Sequence, residues 1–270
     1  MTMIINTGFF SFVRELVLKD IKVRYRRPFL GFFWAVCMPL FSASVLYVVF
    51  SVFLTVRTAE APFFLYLMTG VFTWRFFQDS LTAATVSLVE SKQLLRETSV
   101  HHVLVPLAAV LAQALVFLPG LLLLVAVSAV FVFPSMWLAL LPLVFLLHVF
   151  FAAAAGVICS FLYVRWRDIR FFVEGALYLG FYLTPVFYSL TLARQILPPW
   201  MYYLYLANPF TGLLNLYRCA LLKGYGGFLG NEHVLGISWL SASAGALILL
   251  AAASIVHRRL RATLNDYLSY

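Results

Sequence analysis

Charged residues are scarce in this 270-residue chain: Asp, Glu, Lys and Arg make up 11% of it, and only 10 residues are acidic. A soluble domain carries about 25% charged residues, so this chain cannot cover a surface that faces water. Hydrophobic residues make up 64% and the mean hydropathy is +0.97. We therefore predict that lipid surrounds most of the protein.

The motifs of several enzyme classes are also missing. There is no G-x-x-x-x-G-K-[ST] phosphate loop, no Ser-His-Asp or nucleophile-elbow pattern, and no repeated acidic cluster that could hold a metal-bound diphosphate. Cys37, Cys159 and Cys219 lie far apart and make no metal or redox pair. His148 stands alone in an apolar run and is expected to be a core residue. We expect no catalytic, cofactor or metal site in the chain.

Apolar runs of membrane-spanning length are what the chain has instead. A helix needs about 20 residues to cross the hydrocarbon core. We predict an all-α integral membrane protein, a single domain over residues 1–270, with six spans at about 31–54, 63–88, 103–133, 137–163, 171–190 and 239–256.

The apolar segment 198–223 is divided by Asn208-Pro209 into two pieces, each too short to cross alone. Two half-helices that enter and return would satisfy their own backbone hydrogen bonds on either side of the break. We predict this re-entrant pair rather than a seventh span.

The basic residues test the count of spans. With six spans and a cytoplasmic N-terminus, 14 of the 19 Lys and Arg lie in inner segments, 4 lie in outer segments, and Arg75 lies within a span. Lys and Arg favour the cytoplasmic side, so both termini are predicted to be cytoplasmic. The net charge of +9 is expected to face anionic lipid and not nucleic acid.

Two cytoplasmic segments are not spans. Residues 9–27 form a predicted amphipathic interface helix, which could equally be a simple topology anchor; its apolar positions are Phe10, Val13, Val17 and Ile21, opposite Arg14, Glu15, Lys19, Lys22 and Arg26. The polar segment Glu90–His102 has helix-forming residues up to Glu97. It could press on a soluble partner, although its spacing alone favours a solvated loop.

Arg75 and Asp79 are one helical turn apart within the second span. Ionisable residues at membrane depth face a cavity or each other, and this spacing lets them pair. A structural pair is the default interpretation, and the lining of a polar path is the alternative.

Several stretches, taken in order, resemble the permease subunits of ABC-2-type exporters of bacterial surface polysaccharides. The first runs R-E-L-V-L-K-D-I-K-V-R-Y-R-R-P-F-L-G-F-F-W-A-V-C-M-P from Arg14. The others are Gly70 with Trp74, Arg167-Asp168-Ile169, Thr184-Pro185-Val186-Phe187-Tyr188, Asn208-Pro209 and Tyr217-Arg218. Arg75 departs from the pattern, because a neutral residue is expected there.

The resemblance implies a function that the residues alone do not show. Two permease copies would form a pore in the bacterial inner membrane, and two separate ATPase subunits that bind ATP-Mg would drive it. The cargo would be a polysaccharide on a polyprenyl diphosphate lipid, as in O-antigen, capsule or teichoic acid export. The ATPase-coupling residues would be Glu90, Lys92, Gln93, Arg96 and Glu97, and the outer gate would comprise Asn208, Pro209, Tyr217 and Arg218.

The aromatic content fits such a cargo: the chain has 27 Phe, 14 Tyr and 6 Trp. Sugar rings can pack on aromatic faces in the way that bases stack in single-strand binders. The candidates for the path are Trp74, Tyr178, Tyr182, Phe187 and Tyr188, with Tyr202, Tyr203 and Tyr205. The alternative is the aromatic belt of the membrane interface.

Three other functions stay open at this point. An ABC-2 permease for small lipids or drugs would share the topology, and neighbouring glycosyltransferase genes would argue against it. A membrane-embedded glycosyl or prenyl transferase would need paired acidic residues and would act alone. A passive scaffold would leave the hydrolysis rate of a partner ATPase unchanged.

Overall fold

The computed structural model describes residues 11, 13–22, 28–54, 62–97, 101–132, 136–225 and 232–269, and within these ranges the regular structure is entirely helical. Helix α1 comprises residues 13–22. The others are α2 (Pro28–Tyr47, continued by a π-helical turn, Val48–Phe53), α3 (Phe63–Glu90), α4 (Lys92–Glu97), α5 (Leu104–Val132), α6 (Leu141–Arg165, preceded by a 3-10 turn, Met136–Leu140), α7 (Ile169–Leu183), α8 (Leu190–Ile196), α9 (Pro199–Leu206), α10 (Pro209–Leu221) and α11 (Glu232–Ser269).

Four segments within the described ranges are long and apolar enough to cross a membrane: Phe33–Phe53, Leu104–Phe131, Trp137–Arg165 and His233–Leu260. They correspond to the first, third, fourth and sixth predicted spans. The second predicted span is the 28-residue helix α3, which is long enough, but Arg75, Gln78, Asp79 and several hydroxyl residues lower its hydropathy. A crossing by α3 therefore stays a prediction.

The predicted fifth span, 171–190, is not one continuous helix. Helix α7 has 15 residues and ends at Leu183, and Thr184 is extended with ψ 154°. Pro185 explains this end, because a proline disfavours the helical conformation of the residue before it. The short helix α8 begins only at Leu190, so the apolar run is divided by a turn.

Helix α3 lies at the centre of the fold, with 18 of its 28 residues buried. It packs on α2, α5, α6 and α7. The contact with α6 uses small residues: a Cβ at Gly156 would lie 2.7 Å from the Ala84 Cβ. Because lipid supplies little hydrophobic force between helices, such close approach is how membrane helices gain packing energy.

Helix α10 is buried along its whole length from Phe210 to Leu221. Asn208 caps its start by accepting a hydrogen bond from the Phe210 N–H at 2.9 Å, and Pro209 takes the first helical position, where its missing N–H costs nothing. The chain therefore breaks at Asn208, as the sequence predicts. Whether α9 and α10 re-enter a membrane stays a prediction.

The segments predicted to be cytoplasmic meet in one apolar cluster. Leu16 and Val17 of α1 pack with Leu88 of α3, Leu95 of α4 and Val105 of α5. Arg14, Glu15, Lys19 and Lys22 on the same short helix are exposed, so residues 13–22 are amphipathic as predicted. Phe10 and Arg26, which also belong to the predicted interface helix, lie outside the described residues.

Candidate functional site

The motifs at Gly70, Val186 and Arg218 meet at one point in the protein interior. Arg218 is fully buried, and its Nη2 donates a hydrogen bond to the Val186 carbonyl at 2.8 Å. A Cβ on Gly70 would overlap that carbonyl and lie 3.0 Å from Arg218 Nη2. Only glycine therefore lets α3 approach the guanidinium and the turn after α7 this closely.

The Arg218 charge is stabilised by an aromatic ring. Its guanidinium carbon lies 3.5 Å from the centroid of the Tyr66 ring, one turn before Gly70. Among the described residues no carboxylate pairs with Arg218, and its Nε and Nη1 have no hydrogen-bond acceptor. A planar guanidinium suits this position, because it stacks on a ring and is more weakly hydrated than an ammonium.

Tyrosine hydroxyls hold the turn between α7 and α8. The Tyr66 hydroxyl donates to the Tyr188 carbonyl at 2.7 Å, and the Tyr205 hydroxyl donates to the Tyr188 hydroxyl at 2.6 Å. The Tyr188 hydroxyl in turn donates to the Tyr182 carbonyl at 3.2 Å. The turn is thus fixed to α3, α7 and α9 together.

Trp74 lies on α3 one helical turn after Gly70, and it contacts both α7 and α10. Its ring centroid is 4.6 Å from that of Phe210 and 6.1 Å from that of Phe181, both in T-shaped contacts. A Cβ on Gly180 would lie 2.8 Å from the Trp74 ring. Motif residues far apart in sequence therefore form one packed junction, which we call the arginine junction: Tyr66, Gly70, Trp74, Gly180, Val186, Tyr188, Phe210 and Arg218.

The residues predicted for an aromatic path divide into two groups. Trp74 is buried in the junction, whereas Tyr178 and Tyr182 are exposed by 65% and 50%. The two tyrosines contact each other at 5.3 Å between centroids, and Tyr182 contacts Phe187 at 5.8 Å. Phe187 also lies 5.4 Å from Phe50 at the end of the first span. An aromatic surface, exposed at Tyr178 and Tyr182 and partly buried at Phe187 and Phe50, thus extends from α7 towards α2.

Of the residues predicted for the outer gate, two are fully buried and two are partly exposed. Asn208 and Pro209 start α10, and Tyr217 and Arg218 are fully buried within it. The Tyr217 hydroxyl is 3.4 Å from His148 Nδ1, so His148 is a core residue with a polar neighbour. Any gating by these residues would require α10 to move, and the role stays a prediction.

The segment predicted to couple to an ATPase contains the short helix α4. Gln93 donates to Glu97 at 3.2 Å, and Glu90, Gln93, Arg96 and Glu97 are exposed, with Lys92 partly so. Leu95 points the other way and is buried in the cluster shared with α1, α3 and α5. Helix α4 thus has an exposed polar face, and on its other side Leu95 packs into the apolar cluster.

Arg75 and Asp79 form the predicted ion pair, with Arg75 Nε 3.1 Å from Asp79 Oδ2. Both side chains are about half exposed, at 50% and 40%. They line a cavity of about 380 Å³ between α2, α3 and α5, together with the buried amide of Gln113.

Sequence reasoning missed Tyr66, Gly180 and Gln113. Tyr66 precedes Gly70 by one helical turn, so its placement on the same face was readable. Gln113 is an amide within a long apolar run, which is itself a signal of a functional position. Nothing in the local sequence marks Gly180, whose role depends on a distant tryptophan.

The model of the family described as ABC-2 type transporter matches residues 12–222. The chain belongs to this family. It is similar to two O-antigen export system permease proteins RfbA from Klebsiella pneumoniae, at 30% identity over 226 residues and 29% over 222, each covering 81% of this chain and 83% of the relative. An RfbA permease from Myxococcus xanthus is 29% identical over 178 residues, 66% of this chain and 68% of that one.

The family match identifies this ABC-2 protein as a membrane subunit of a transporter and not as its ATPase. The family match therefore favours a transport function over that of a membrane-embedded glycosyl or prenyl transferase. The matched range ends one residue after α10, so it includes the whole arginine junction.

Proposed function

We propose that this chain is the transmembrane subunit of an ATP-driven exporter that moves lipid-linked polysaccharide, of O-antigen type, from the cytoplasm across the bacterial inner membrane. The similarity to the Klebsiella O-antigen permeases over 81% of the chain carries the proposal. A complete pore would contain two copies of this chain, and two ATPase subunits would bind the ATP.

The partly exposed aromatic surface supports a glycan cargo. Tyr178, Tyr182 and Phe187 form a continuous run of ring contacts that reaches Phe50. Stacking on such rings is tolerant of sequence, and a pore that passes many repeat units needs many weak contacts rather than one tight site. These residues are proposed to line the path, with Tyr188 fixing the turn behind them.

The anchoring of α4 supports a partner ATPase. Force applied to the exposed face of α4 reaches Leu95, which packs with Leu88 of α3 and Val105 of α5. A displacement of α4 would therefore move the cytoplasmic ends of both long helices. Glu90, Lys92, Gln93, Arg96 and Glu97 are proposed to contact the ATPase.

The surface of α2 supports a second copy. Only 11% of the apolar window of the Phe33–Phe53 span is buried within one protomer, against 39% for the spans of α5 and α6. Phe33, Trp34, Met38 and Phe41 are exposed. We propose that this face meets the partner protomer, while α3 and the re-entrant pair α9–α10 complete a membrane domain with both termini in the cytoplasm.

Deletion of the gene from its host, with plasmid complementation, tests the proposal. We expect loss of surface polysaccharide and build-up of lipid-linked glycan in the inner leaflet, both reversed by the wild-type chain. A chain with Leu95→Asp should reach the membrane and fail to complement, and it should no longer alter the hydrolysis rate of the co-purified ATPase. Unchanged surface polysaccharide, with a defect in phospholipid or drug export instead, would contradict the proposal and favour a small-molecule permease.

A further inference from the structure

One face of α3 is left uncovered by the other described residues. In its cytoplasmic half the exposed Arg75 and the partly exposed Asp79, Thr82 and Val86 follow helical spacing, and the positions opposite them are buried. This stripe runs to the exposed Glu90 at the helix end. Because charges are costly against lipid, a face that starts with an ion pair requires a polar environment at this depth.

A cavity opens beside the Arg75 end of this stripe. Its volume of about 380 Å³ lies within the range of small-ligand sites. Its polar groups come from Arg75, Asp79 and Gln113, and its apolar walls include the rings of Trp34, Phe72, Phe76 and Phe117. The cavity thus combines aromatic faces with convergent polar groups.

The buried amide of Gln113 distinguishes this cavity from a simple packing gap between helices. Its side chain is 4% exposed, and its Nε2 has no hydrogen-bond acceptor among the described residues. A buried amide without a partner is destabilising, and an apolar residue of the same shape would remove that cost. The only bond that the structure records for Arg75 within its described part uses Nε, towards Asp79, so the two outer guanidinium nitrogens are available to a ligand.

We propose that this cavity is a saccharide subsite on the translocation path, which holds one sugar ring of the cargo while it passes; this inference rests on the proposed function. The guanidinium and the amide donate hydrogen bonds, the carboxylate accepts them, and a hydroxyl can do both. The ring's C–H faces would pack on the aromatic walls.

The Asp79 carboxylate favours the sugar over the lipid diphosphate. It lies 3.1 Å from the Arg75 guanidinium, and a carboxylate at this position repels a phosphate. A neutral polyhydroxylated ring meets no such repulsion. The pair is half exposed, so binding there is weak and reversible, as passage of many units requires.

Substitution at Gln113 tests the subsite. Gln113→Leu removes the amide while keeping the apolar packing, and it should leave membrane abundance and thermal stability unchanged or raised. We expect surface polysaccharide to fall at least 5-fold, with the same loss for the double change Arg75→Gln and Asp79→Asn. The matched control is Arg170→Gln with Glu174→Gln, because that pair has the same spacing, a 2.9 Å contact and similar exposure on α7. Wild-type export by the Gln113 variant would overturn the inference.

Photocrosslinking gives a second readout that does not depend on the export rate. A benzophenone amino acid replacing the cavity-lining Met38 should form an adduct with lipid-linked glycan that glycosidase digestion shortens, whereas one replacing the exposed Leu247 of α11 should capture phospholipid. Phospholipid alone at both positions would overturn the subsite. If the wild-type chain exports no polysaccharide, the proposed function fails; if it does and Met38 captures no glycan, only the subsite fails.

Discussion

Two arginines show two ways of keeping a guanidinium in an apolar protein. Arg218 is fully buried, stacks on Tyr66 and gives one hydrogen bond to a backbone carbonyl. Arg75 is half exposed and pairs with Asp79 at the edge of a cavity. The first arrangement fixes three segments of backbone to each other, so it is structural. The second leaves the outer guanidinium nitrogens of Arg75 beside the cavity, so it is suited to binding.

The largest effect is expected at Gly70. Gly70→Ala would place a Cβ against the Val186 carbonyl, and a backbone group cannot rotate away. We expect destabilisation of more than about 3 kcal/mol, seen as loss of the monodisperse peak in size-exclusion chromatography of detergent-solubilised protein. Gly236→Ala is the control, because a Cβ there has no neighbour within 4 Å; it should fold normally. A well-folded Gly70→Ala protein would show that the junction is not close-packed.

Arg218→Lys is expected to have the next largest effect. Lysine keeps the charge but loses the planar stack on Tyr66 and the fixed geometry towards Val186. We expect a loss on the order of 2 kcal/mol, measured as a lower melting temperature in detergent. Arg75→Lys should change the melting temperature little, since that side chain is half exposed. Equal decreases in melting temperature for Arg218→Lys and Arg75→Lys would show that the two arginines contribute alike to stability.

Much of this architecture was readable from the sequence, because hydrophobic length and proline position are local signals. The predicted span 103–133 differs from α5 by one residue at each end, and the break at Asn208 is where it was expected. The end of α7 was missed because Thr184-Pro185 lies inside an apolar run, and hydropathy does not distinguish a turn from a helix there.

The candidate site was less predictable. Gly70, Val186 and Arg218 were each marked by resemblance, but their convergence depends on contacts across more than 100 residues of chain, which no periodicity encodes. The cavity at Gln113 likewise needs three helices to be placed against each other.

Tyr205→Phe is expected to weaken the arginine junction by a smaller amount. It removes the 2.6 Å hydrogen bond to the Tyr188 hydroxyl and keeps the ring contact between the two tyrosines. A single neutral hydrogen bond contributes about 1 kcal/mol, so a modest decrease in melting temperature should follow. Tyr203→Phe is the control, because Tyr203 is exposed on the same helix. An unchanged melting temperature for Tyr205→Phe would mean that the Tyr205 hydroxyl does not help to hold the turn.

The smallest effect on stability is expected at the Arg75 pair. It tests directly whether Arg75, unlike Arg218, contributes little to the fold. An exposed ion pair one helical turn apart contributes about 0.3–0.5 kcal/mol, so Arg75→Gln with Asp79→Asn should scarcely change the melting temperature in detergent. Arg170→Gln with Glu174→Gln should behave alike, because its contact and exposure are similar. If the first pair proves far more stabilising than the second, then its groups hold the fold as Arg218 does. Equal and small effects would instead agree with a role of the Arg75 pair in binding, because the pair would then add as little to stability as its control on α7.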